Sequence, residues 1–333
     1  MGSVYSKSDG HLGDLFPISN TSINKQKPLL KTFLPSRLTI NSPDTTPANE
    51  KDNVLNLNEN LVRKFFGEDG PLSSAIENYF YRPQQVDMAL SVTDAMKNSK
   101  NLIVEGGTGV GKSMAYLLPA MLFALENETR VVVSTSTINL QEQLINKDLP
   151  ALEKGMRVLS PDAGNFSFSS LKGRDNYLCL KKWGSILHEE TFAKDEARLI
   201  SKIMMWLNKT TSGDRSEINI SFRDRPIWSR LSASGSSICP AYSEEMCFLR
   251  TARRKAENAN VLVVNHALLM RDIIEGGGII PNYDHLIIDE AHNIEDEATN
   301  QFGYNLSISH IDDYIDKMNG QRGLYTKISV AIS

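Results

Sequence analysis

The sequence predicts an α/β fold in which a mainly parallel sheet carries flanking helices. Short apolar runs of strand length alternate with stretches whose apolar residues recur at helical spacing. Helices predicted at 112–126 and 138–146 each follow a predicted strand, and that order is typical of a parallel sheet. The five predicted strands are 102–104, 131–134, 157–159, 261–264 and 286–288.

The pattern is not uniform along the chain. Residues 1–55 are polar and lack periodicity, so we predict a disordered tail. The sheet domain is expected to comprise 56–164 and 259–300, interrupted by a cysteine-containing basic insertion at 165–258. Residues 301–333 are predicted to begin a further, arch-like domain. The chain ends on an apolar stretch without a helix cap, and we expect it to be a fragment of a longer protein.

A phosphate-binding loop follows the first predicted strand and opens the helix predicted at 112–126. It matches G-x-x-x-x-G-K-[ST] with Gly106, Gly107, Thr108, Gly109, Val110, Gly111, Lys112 and Ser113. The glycines let successive N–H groups turn towards phosphate oxygens, and the helix N-terminus adds to the anion site. Lys112 is expected to reach the β- and γ-phosphates, and the Ser113 hydroxyl to ligate Mg²⁺. The motif therefore predicts a bound nucleotide.

Two carboxylates follow the last predicted strand. Asp289 and Glu290 come directly after 286–288, and His292 lies two residues further on. Ligand chemistry collects at the carboxyl ends of strands in an open α/β sheet. Asp289 is expected to share Mg²⁺ with Ser113, and Glu290 to orient and deprotonate the attacking water. Such an acidic pair alone is more typical of a solvated turn, so this prediction of hydrolysis depends on the phosphate-binding loop.

Charge and hydropathy bear on two questions, whether the protein binds nucleic acid and whether it enters a membrane. The net charge is −4, yet residues 165–260 hold 16 Lys and Arg against 11 Asp and Glu. This basic region fits a track for a phosphate backbone or a solvated helix face, and charge alone does not separate the two. We see no apolar run of the ~20 residues that cross a bilayer and no signal peptide. We expect a cytoplasmic protein without a membrane partner.

The cysteines are Cys179, Cys239 and Cys247, and all lie in the insertion. In a cytoplasmic protein they indicate a metal or cluster site rather than disulfides, although burial as small apolar residues is the alternative. An iron–sulfur cubane usually takes four thiolates, so a cluster here lacks its fourth cysteine. The nearest other candidate ligands are Asp175, His188 and Ser237.

Several motifs in a fixed order resemble a known family. They are 107–113, 172–179, Cys239-Pro240, Cys247-Phe248, 264–269 and 289–292. Together they resemble the N-terminal half of a DinG-type helicase, a bacterial relative of XPD in helicase superfamily 2, over about residues 60–333. The resemblance implies a RecA-like P-loop motor domain with an inserted iron–sulfur-type subdomain. It also implies ATP-dependent 5′→3′ unwinding of DNA from a single-stranded loading tail, in DNA repair or replication.

The resemblance also assigns roles to residues. Arg82 and Gln85 match the motif that recognises adenine, His292 would couple nucleotide state to the DNA side, and the three cysteines match cluster ligands. The residues that would contact DNA are Ser134, Thr135, Ser136, Thr137, Gln141 and Arg174. The implied cofactors are ATP, Mg²⁺ and an iron–sulfur cluster. The implied partners are single-stranded DNA and tailed duplex DNA, bound by a monomer.

Two alternatives remain at this stage. One is a non-catalytic half-motor that binds nucleotide and DNA, because the second RecA-like domain of the family, which supplies a transition-state arginine, is expected beyond residue 333. The other is a P-loop ATPase of another class, with cysteines that are structural or bind zinc. For the chain as given, we expect weak binding of ATP·Mg²⁺ and no unwinding.

Overall fold

The computed structural model describes residues 57–160, 166–187, 192–235 and 247–303. Four parallel strands form one sheet in the order β2-β3-β1-β4. They are β1 Val131–Thr135, β2 Phe168–Ser170, β3 Val261–Asn265 and β4 His285–Ile288. Val131 is in register with Val261 of β3 on one side and with His285 of β4 on the other. All four carboxyl ends therefore meet at one edge of the sheet.

Helices flank the sheet and connect its strands. In chain order they are α1 Glu59–Phe66, α2 Pro71–Ala75, α3 Pro83–Lys97, α4 Lys112–Glu126, α5 Ile138–Gln143, α6 Leu149–Leu159, α7 Leu180–Ile186, α8 Lys194–Leu207, α9 Arg225–Leu231, α10 Phe248–Glu257, α11 His266–Ile274 and α12 Ile294–Phe302. A π-helical turn, Leu144–Asp148, joins α5 to α6. Short 3₁₀ turns are Arg174–Asn176, Arg215–Glu217, Phe222–Asp224 and Ala291–Asn293.

Helices cover both faces of the central strands. Val131 and Val133 of β1 pack into a core with α1, α3, α4 and α6, whereas Val132 packs into another with α10 and α11. Successive side chains of a strand point to opposite faces, so a strand buried on both faces must be apolar throughout. The run Val131-Val132-Val133 meets this requirement, and all three side chains are fully buried.

Residues 178–231 build a separate core with Phe248. Trp183 and Trp228 lie fully buried in it, and Trp228 Nε1 donates a hydrogen bond of 2.7 Å to the Asp175 carbonyl. Helix α8 contributes one apolar side, including Ile200 and Ile203. The residues of this second core all lie within the predicted insertion, 165–258.

The parallel sheet, the strands at 131–134, 261–264 and 286–288 and the helix at 112–126 are confirmed. The strand predicted at 102–104 is wrong: these residues pair with no strand among the described residues, and Ile103 is 99% exposed. The strand predicted at 157–159 is wrong as well, because these residues end α6. Segments of three residues are too short for periodicity to separate strand, helix and loop.

Other boundaries also differ from the sequence prediction. Strand β2 belongs to the sheet although it lies within the predicted insertion, 165–258. The mixed polar and apolar composition of Phe168–Ser170 gave no strand signal. The helix predicted at 138–146 is α5 and part of the π-helical turn. The predicted tail 1–55 and most of 301–333 lie outside the described residues. None of the described helices has the length and apolarity to cross a membrane.

Candidate functional site

The phosphate-binding loop depends on glycine where it enters α4. Gly109 and Gly111 have φ of +81° and +84°, which disfavours residues with a Cβ. A Cβ on Gly111 would also lie 2.2 Å from Gln85 Nε2, which donates a hydrogen bond of 2.9 Å to the Gly111 carbonyl. Around Gly107 and Gly109, by contrast, an added Cβ would meet nothing within 4 Å. The loop is therefore tightly supported on the α3 side and open on the other.

Tertiary structure brings the loop lysine to the second carboxylate of the acidic pair. Lys112 Nζ donates a hydrogen bond of 3.2 Å to the Gly106 carbonyl and lies 3.8 Å from Glu290 Oε1. Glu290 has φ of +53°, a left-handed conformation that costs a non-glycine residue of the order of 1–3 kcal/mol. His292 Nδ1 lies 3.5 Å from Glu290 Oε2, with the imidazole largely exposed. Both Glu290 oxygens thus have a nitrogen partner at the open side of the loop.

Asp289, the other carboxylate of the pair, is tied to the sheet. Its backbone N–H donates to the Ser134 carbonyl at 2.8 Å, which ties it to the end of β1. Burial raises the pKa of Asp289, Glu290 raises it further, and Tyr116 and Lys112 oppose the shift. A carboxylate held in this way beside the phosphate-binding loop is a hard oxygen ligand of the kind that Mg²⁺ takes.

Sequence analysis did not identify two residues near this carboxylate, Tyr116 and Asp148. The hydroxyl of Tyr116 is buried and makes no hydrogen bond of good geometry. Asp289 and Ser113 are nevertheless close enough to influence the pKa of Tyr116. Asp148 is 4% exposed and lies close to Ser113 as well. Tyr116 follows Ser113 by three residues, a spacing that places both on one helix face and was a usable signal. Asp148 gave no signal, because the π-helical turn sets its direction.

These residues fit a magnesium–nucleotide complex. Ser113 and Asp289 supply oxygen ligands next to the phosphate-binding loop, and both are close enough to Tyr116 to influence its pKa. Within the described ranges, no three or more His, Cys, Asp or Glu residues are grouped to hold a metal. Mg²⁺ at phosphate sites usually takes one or two carboxylates, with substrate phosphates and water completing its shell. The donor set is therefore sufficient for Mg²⁺ that arrives with a nucleotide.

The residues that the resemblance assigned to adenine have other partners here. Gln85 is 2% exposed, and its Nε2 holds the phosphate-binding loop while its Oε1 is buried without a hydrogen bond. Arg82 precedes α3, and its Nη1 donates to the Phe80 carbonyl at 3.3 Å. Gln85 thus supports the loop directly, and adenine recognition stays a prediction for both residues.

The predicted DNA contacts divide into buried and accessible residues. Ser134, Thr135 and Gln141 are fully buried. Gln141 Nε2 donates to the carbonyls of Leu171 and Val263 at 3.0 and 2.7 Å, so this side chain joins α5 to the sheet. Ser134 and Thr135 lie on a strand that is buried on both faces, and Gln141 lies on α5. None of the three is accessible to a ligand in this structure, and direct DNA contact by them stays a prediction. The predicted contacts that reach the surface are Ser136, Thr137 and Arg174.

A basic cavity of about 910 Å³ lies beside the carboxyl ends of β2 and β3. Its basic lining comprises Lys172, Arg174, Arg215, Arg253 and Arg271. Burial lowers the pKa of Arg253, and the neighbouring guanidinium of Arg174 lowers it further. Asp175 and Glu275 are acidic residues of the same lining. Crowded guanidinium groups of this kind favour a phosphate ligand.

Lys172 differs from the arginines of this cavity. Its side chain is 3% exposed, and Nζ lies 2.6 Å from Asp214 Oδ2 and 2.8 Å from Glu142 Oε1. It also donates to Ser216 Oγ at 3.1 Å. Lys172 therefore connects α5 to the segment 214–216, and its charge is compensated inside the protein.

Two of the three cysteines are described. Cys179 and Cys247 are free, partly exposed thiols, each directly preceding a helix. Their neighbours meet at Gly213: Leu178 N donates to the Gly213 carbonyl, and a Cβ on Gly213 would touch Phe248. Cys239 lies outside the described residues. Two thiols do not complete the usual four-thiolate set, so no chemistry of this site is assigned to a cluster.

Comparison with known proteins agrees with this geometry. The DEAD/DEAH box helicase family matches residues 87–162. ATP-dependent DNA helicase YoaA of Haemophilus influenzae is 36% identical over 270 residues, covering 78% of this chain and 40% of the relative. YoaA of Escherichia coli is 36% identical over 261 residues, covering 74% and 38%. ATP-dependent helicase DinG of Mycobacterium tuberculosis is 38% identical over 237 residues, covering 66% and 35%.

The chain spans about two fifths of the length of these curated relatives. The family match begins within α3 and includes the phosphate-binding loop, β1, α5 and α6. The parallel sheet with flanking helices fits the RecA-like fold of such proteins. The chain thus contains a match to the DEAD/DEAH box helicase family and is similar to DinG-type helicases over about 70% of its length.

Proposed function

We propose that this protein is the nucleotide-binding part of an ATP-dependent DNA helicase that couples ATP hydrolysis to translocation along single-stranded DNA. The observation that carries the proposal is the meeting of Lys112 and Glu290, 3.8 Å apart, beside Asp289 at the carboxyl edge of the sheet. A phosphate-binding cation and two carboxylates in this arrangement fit phosphoryl transfer to water.

Each residue has one part in this reaction. Lys112 would bind the β- and γ-phosphates, and Ser113 and Asp289 would hold Mg²⁺. When bound, Mg²⁺ supplies positive charge that offsets the charge of the phosphate oxygens. Glu290 would orient the attacking water and accept its proton, a task that requires a carboxylate within hydrogen-bond reach of that water. Its open position, shared with His292, leaves room for the water.

The basic cavity is the surface that best fits the DNA backbone. Arg174, Arg215 and Arg253 line it close to the ends of β2 and β3. Thr137 is exposed at the start of α5, and Ile138 lies in the lining of the cavity. A single strand held by guanidinium and hydroxyl groups would be bound through its phosphates, without sequence preference.

The remaining features of the proposal depend on family resemblance. They are 5′→3′ polarity, tailed duplex DNA as substrate, a monomeric state, a role in DNA repair or replication, and a cytoplasmic location. An iron–sulfur cluster on Cys179, Cys239 and Cys247 has the same standing. Iron and acid-labile sulfide in anaerobically purified protein would support the cluster, whereas zinc would favour the P-loop ATPase of another class.

Lys112→Ala tests the proposed function. We expect ATP turnover in the presence of single-stranded DNA to fall at least about 100-fold, because a preorganised charge on the transferred phosphate is lost. Lys97→Ala, at the exposed end of α3, is the matched control and should leave turnover unchanged. Equal turnover in the wild type and Lys112→Ala would contradict the proposal, and absence of turnover in the wild type would favour the non-catalytic half-motor. The chain alone is expected not to unwind a tailed duplex, which a strand-displacement assay checks.

A further inference from the structure

Helix α11 borders the basic cavity along its length and begins beside the nucleotide site. Leu268 and Arg271 of this helix line the cavity, as does Asn265 directly before it. The first residue of the helix is His266, which follows β3 at the carboxyl edge of the sheet. The side chain of His266 is 1% exposed. The helix thus presents later residues to the cavity while its first side chain lies inside the fold.

The imidazole of His266 meets the end of β1. Its Nδ1 lies 2.7 Å from the hydroxyl oxygen of Ser134, and both side chains are buried. The other ring nitrogen, Nε2, is buried and has no hydrogen-bond partner among the described residues. Buried polar atoms are normally paired, so a ring with one free nitrogen depends on the bond that it does make. The contact with Ser134 therefore fixes the position of His266.

Ser134 is also the residue that holds Asp289. Its carbonyl accepts a hydrogen bond of 2.8 Å from the Asp289 N–H, one residue beyond the pairing of Ser134 with Ile288 of β4. On its other side, Ser134 pairs with Val264 of β3. Two short hydrogen bonds through one buried serine therefore connect the first residue of α11 to the nucleotide site.

The far end of α11 is braced against the wall of the cavity. Asp272 Oδ1 accepts hydrogen bonds from the backbone N–H groups of Ile279 and Ile280, at 2.7 and 3.0 Å. Ile279 lines the cavity. Rigid elements that are attached at both ends can carry a displacement from one site to another. A ligand that moves this wall would move α11 with it.

We propose that His266 is a positioning residue that transmits DNA binding in the basic cavity to Asp289. A strand bound beside Arg271 shifts α11, and the shift changes the contact of His266 with Ser134. Ser134 in turn repositions the backbone of Asp289. Such coupling is reciprocal, so nucleotide with Mg²⁺ changes the affinity for DNA by the same factor. The inference rests on the proposed function, because it requires DNA in the cavity and nucleotide beside Asp289.

The effect of nucleotide on DNA affinity tests this role. A fluorescent oligothymidylate is titrated with the complete chain, once without nucleotide and once with saturating adenylyl imidodiphosphate and Mg²⁺. Fluorescence anisotropy gives two dissociation constants, whose ratio measures the coupling. We expect the constants of the wild type to differ about 5-fold or more. In His266→Leu they should agree within about twofold, with the constant measured without nucleotide unchanged.

Three further variants define the contact. His285→Leu is the matched control and should keep the wild-type ratio. His285 Nδ1 also has no hydrogen-bond partner in the described part of the chain, but the residue begins β4 at the opposite edge of the sheet. His266→Asn carries an amide that can still bond to Ser134, so it should keep most of the ratio. Ser134→Ala should lower the ratio as His266→Leu does, and the double variant should lower it no further.

An unchanged ratio in His266→Leu or in Ser134→Ala would overturn the proposal, and so would a wild-type ratio of one. Thermal unfolding separates positioning from a structural role. A fall of more than about 4 °C in His266→Leu, with equal loss of DNA affinity in both conditions, would make His266 structural and overturn the proposal as well. Fluorescent ADP titrated without DNA reports on the proposed function alone. Binding there with a wild-type ratio of one would overturn only the coupling, whereas no binding would overturn the proposed function.

Discussion

The nucleotide site and the basic cavity lie along the same edge of the sheet but have opposite charge. The nucleotide site has two carboxylates close to Lys112, those of Asp289 and Glu290. The cavity gathers arginines instead: Arg174, Arg215, Arg253 and Arg271. An acidic site suits phosphate that arrives with a divalent cation, whereas an arginine-rich site suits a phosphodiester strand without one. Two sites on one edge of the sheet can therefore prefer different phosphate ligands, because their charges differ.

A short chain of hydrogen bonds connects the two sites. Asp289 N–H donates to the Ser134 carbonyl, and Ser134 Oγ lies 2.7 Å from His266 Nδ1. His266 begins α11, which also carries the cavity residue Arg271. Burial lowers the pKa of His266, so the neutral imidazole is favoured in this contact. We therefore expect each site to bind its own ligand, while α11 connects the nucleotide site to the basic cavity.

Glu290→Gln should give the largest effect and should be confined to the nucleotide site. We expect ATP turnover with single-stranded DNA to fall about 10²–10⁴-fold, because an amide cannot accept the proton of the attacking water. Nucleotide affinity should stay within about threefold, since the amide has the shape of the carboxylate. Glu295→Gln on α12 is the exposed control. A loss of affinity as large as the loss of rate would indicate that Glu290 binds rather than activates.

Lys172→Met tests whether a lysine that borders the basic cavity has a structural role. Its charge is already paired with carboxylates inside the protein. Its loss would leave Asp214 and Glu142 without their shared cation, and we expect a loss of about 3–5 kcal/mol in the free energy of unfolding. Urea denaturation measures this. Lys100→Met removes a 59% exposed partner of Asp94 and should change stability by less than about 1 kcal/mol. Equal effects of the two substitutions would refute the distinction.

Arg253→Ala should give the smallest effect and should leave ATP binding unchanged. We expect weaker binding of single-stranded DNA of any sequence, and a slope of log affinity against log salt that is smaller by about one. Fluorescence anisotropy of a labelled oligonucleotide at several salt concentrations measures both. Arg63→Ala on α1 is the exposed basic control. An unchanged slope would exclude Arg253 from the DNA track.

The alternation of strands and helices was enough to predict the parallel sheet, but short elements were not reliable. Residues 131–133 and 261–264 are runs of apolar residues, as a strand buried on both faces of a sheet requires. Residues 102–104 show a similar pattern without packing, and Phe168–Ser170 shows the packing without the pattern. Strands of three residues carry too few side chains for composition to decide, and partners distant in the chain decide instead.

The candidate site likewise contains residues that local sequence predicts and residues that only distant partners define. The phosphate-binding loop is contiguous, and its glycines are required by backbone geometry, so Lys112 and Ser113 were predictable. The carboxylates of Asp289 and Glu290 were predictable because they end a strand. Tyr116 and Asp148 were missed, since their burial close to the site depends on the folded chain. The sequence also did not show that Ser134, Thr135 and Gln141 are buried, because burial of a polar side chain depends on partners from distant segments.

The sequence by itself determined the fold class, the phosphate-binding loop and the acidic pair, because each depends on neighbouring residues and on local backbone geometry. Only the tertiary structure decided which charges are compensated. Lys172 and Arg174 are two residues apart, yet one is buried between carboxylates and the other is exposed in the basic cavity. The free energy of a charged group depends on its burial and on partners from distant segments, and these exist only in the folded chain.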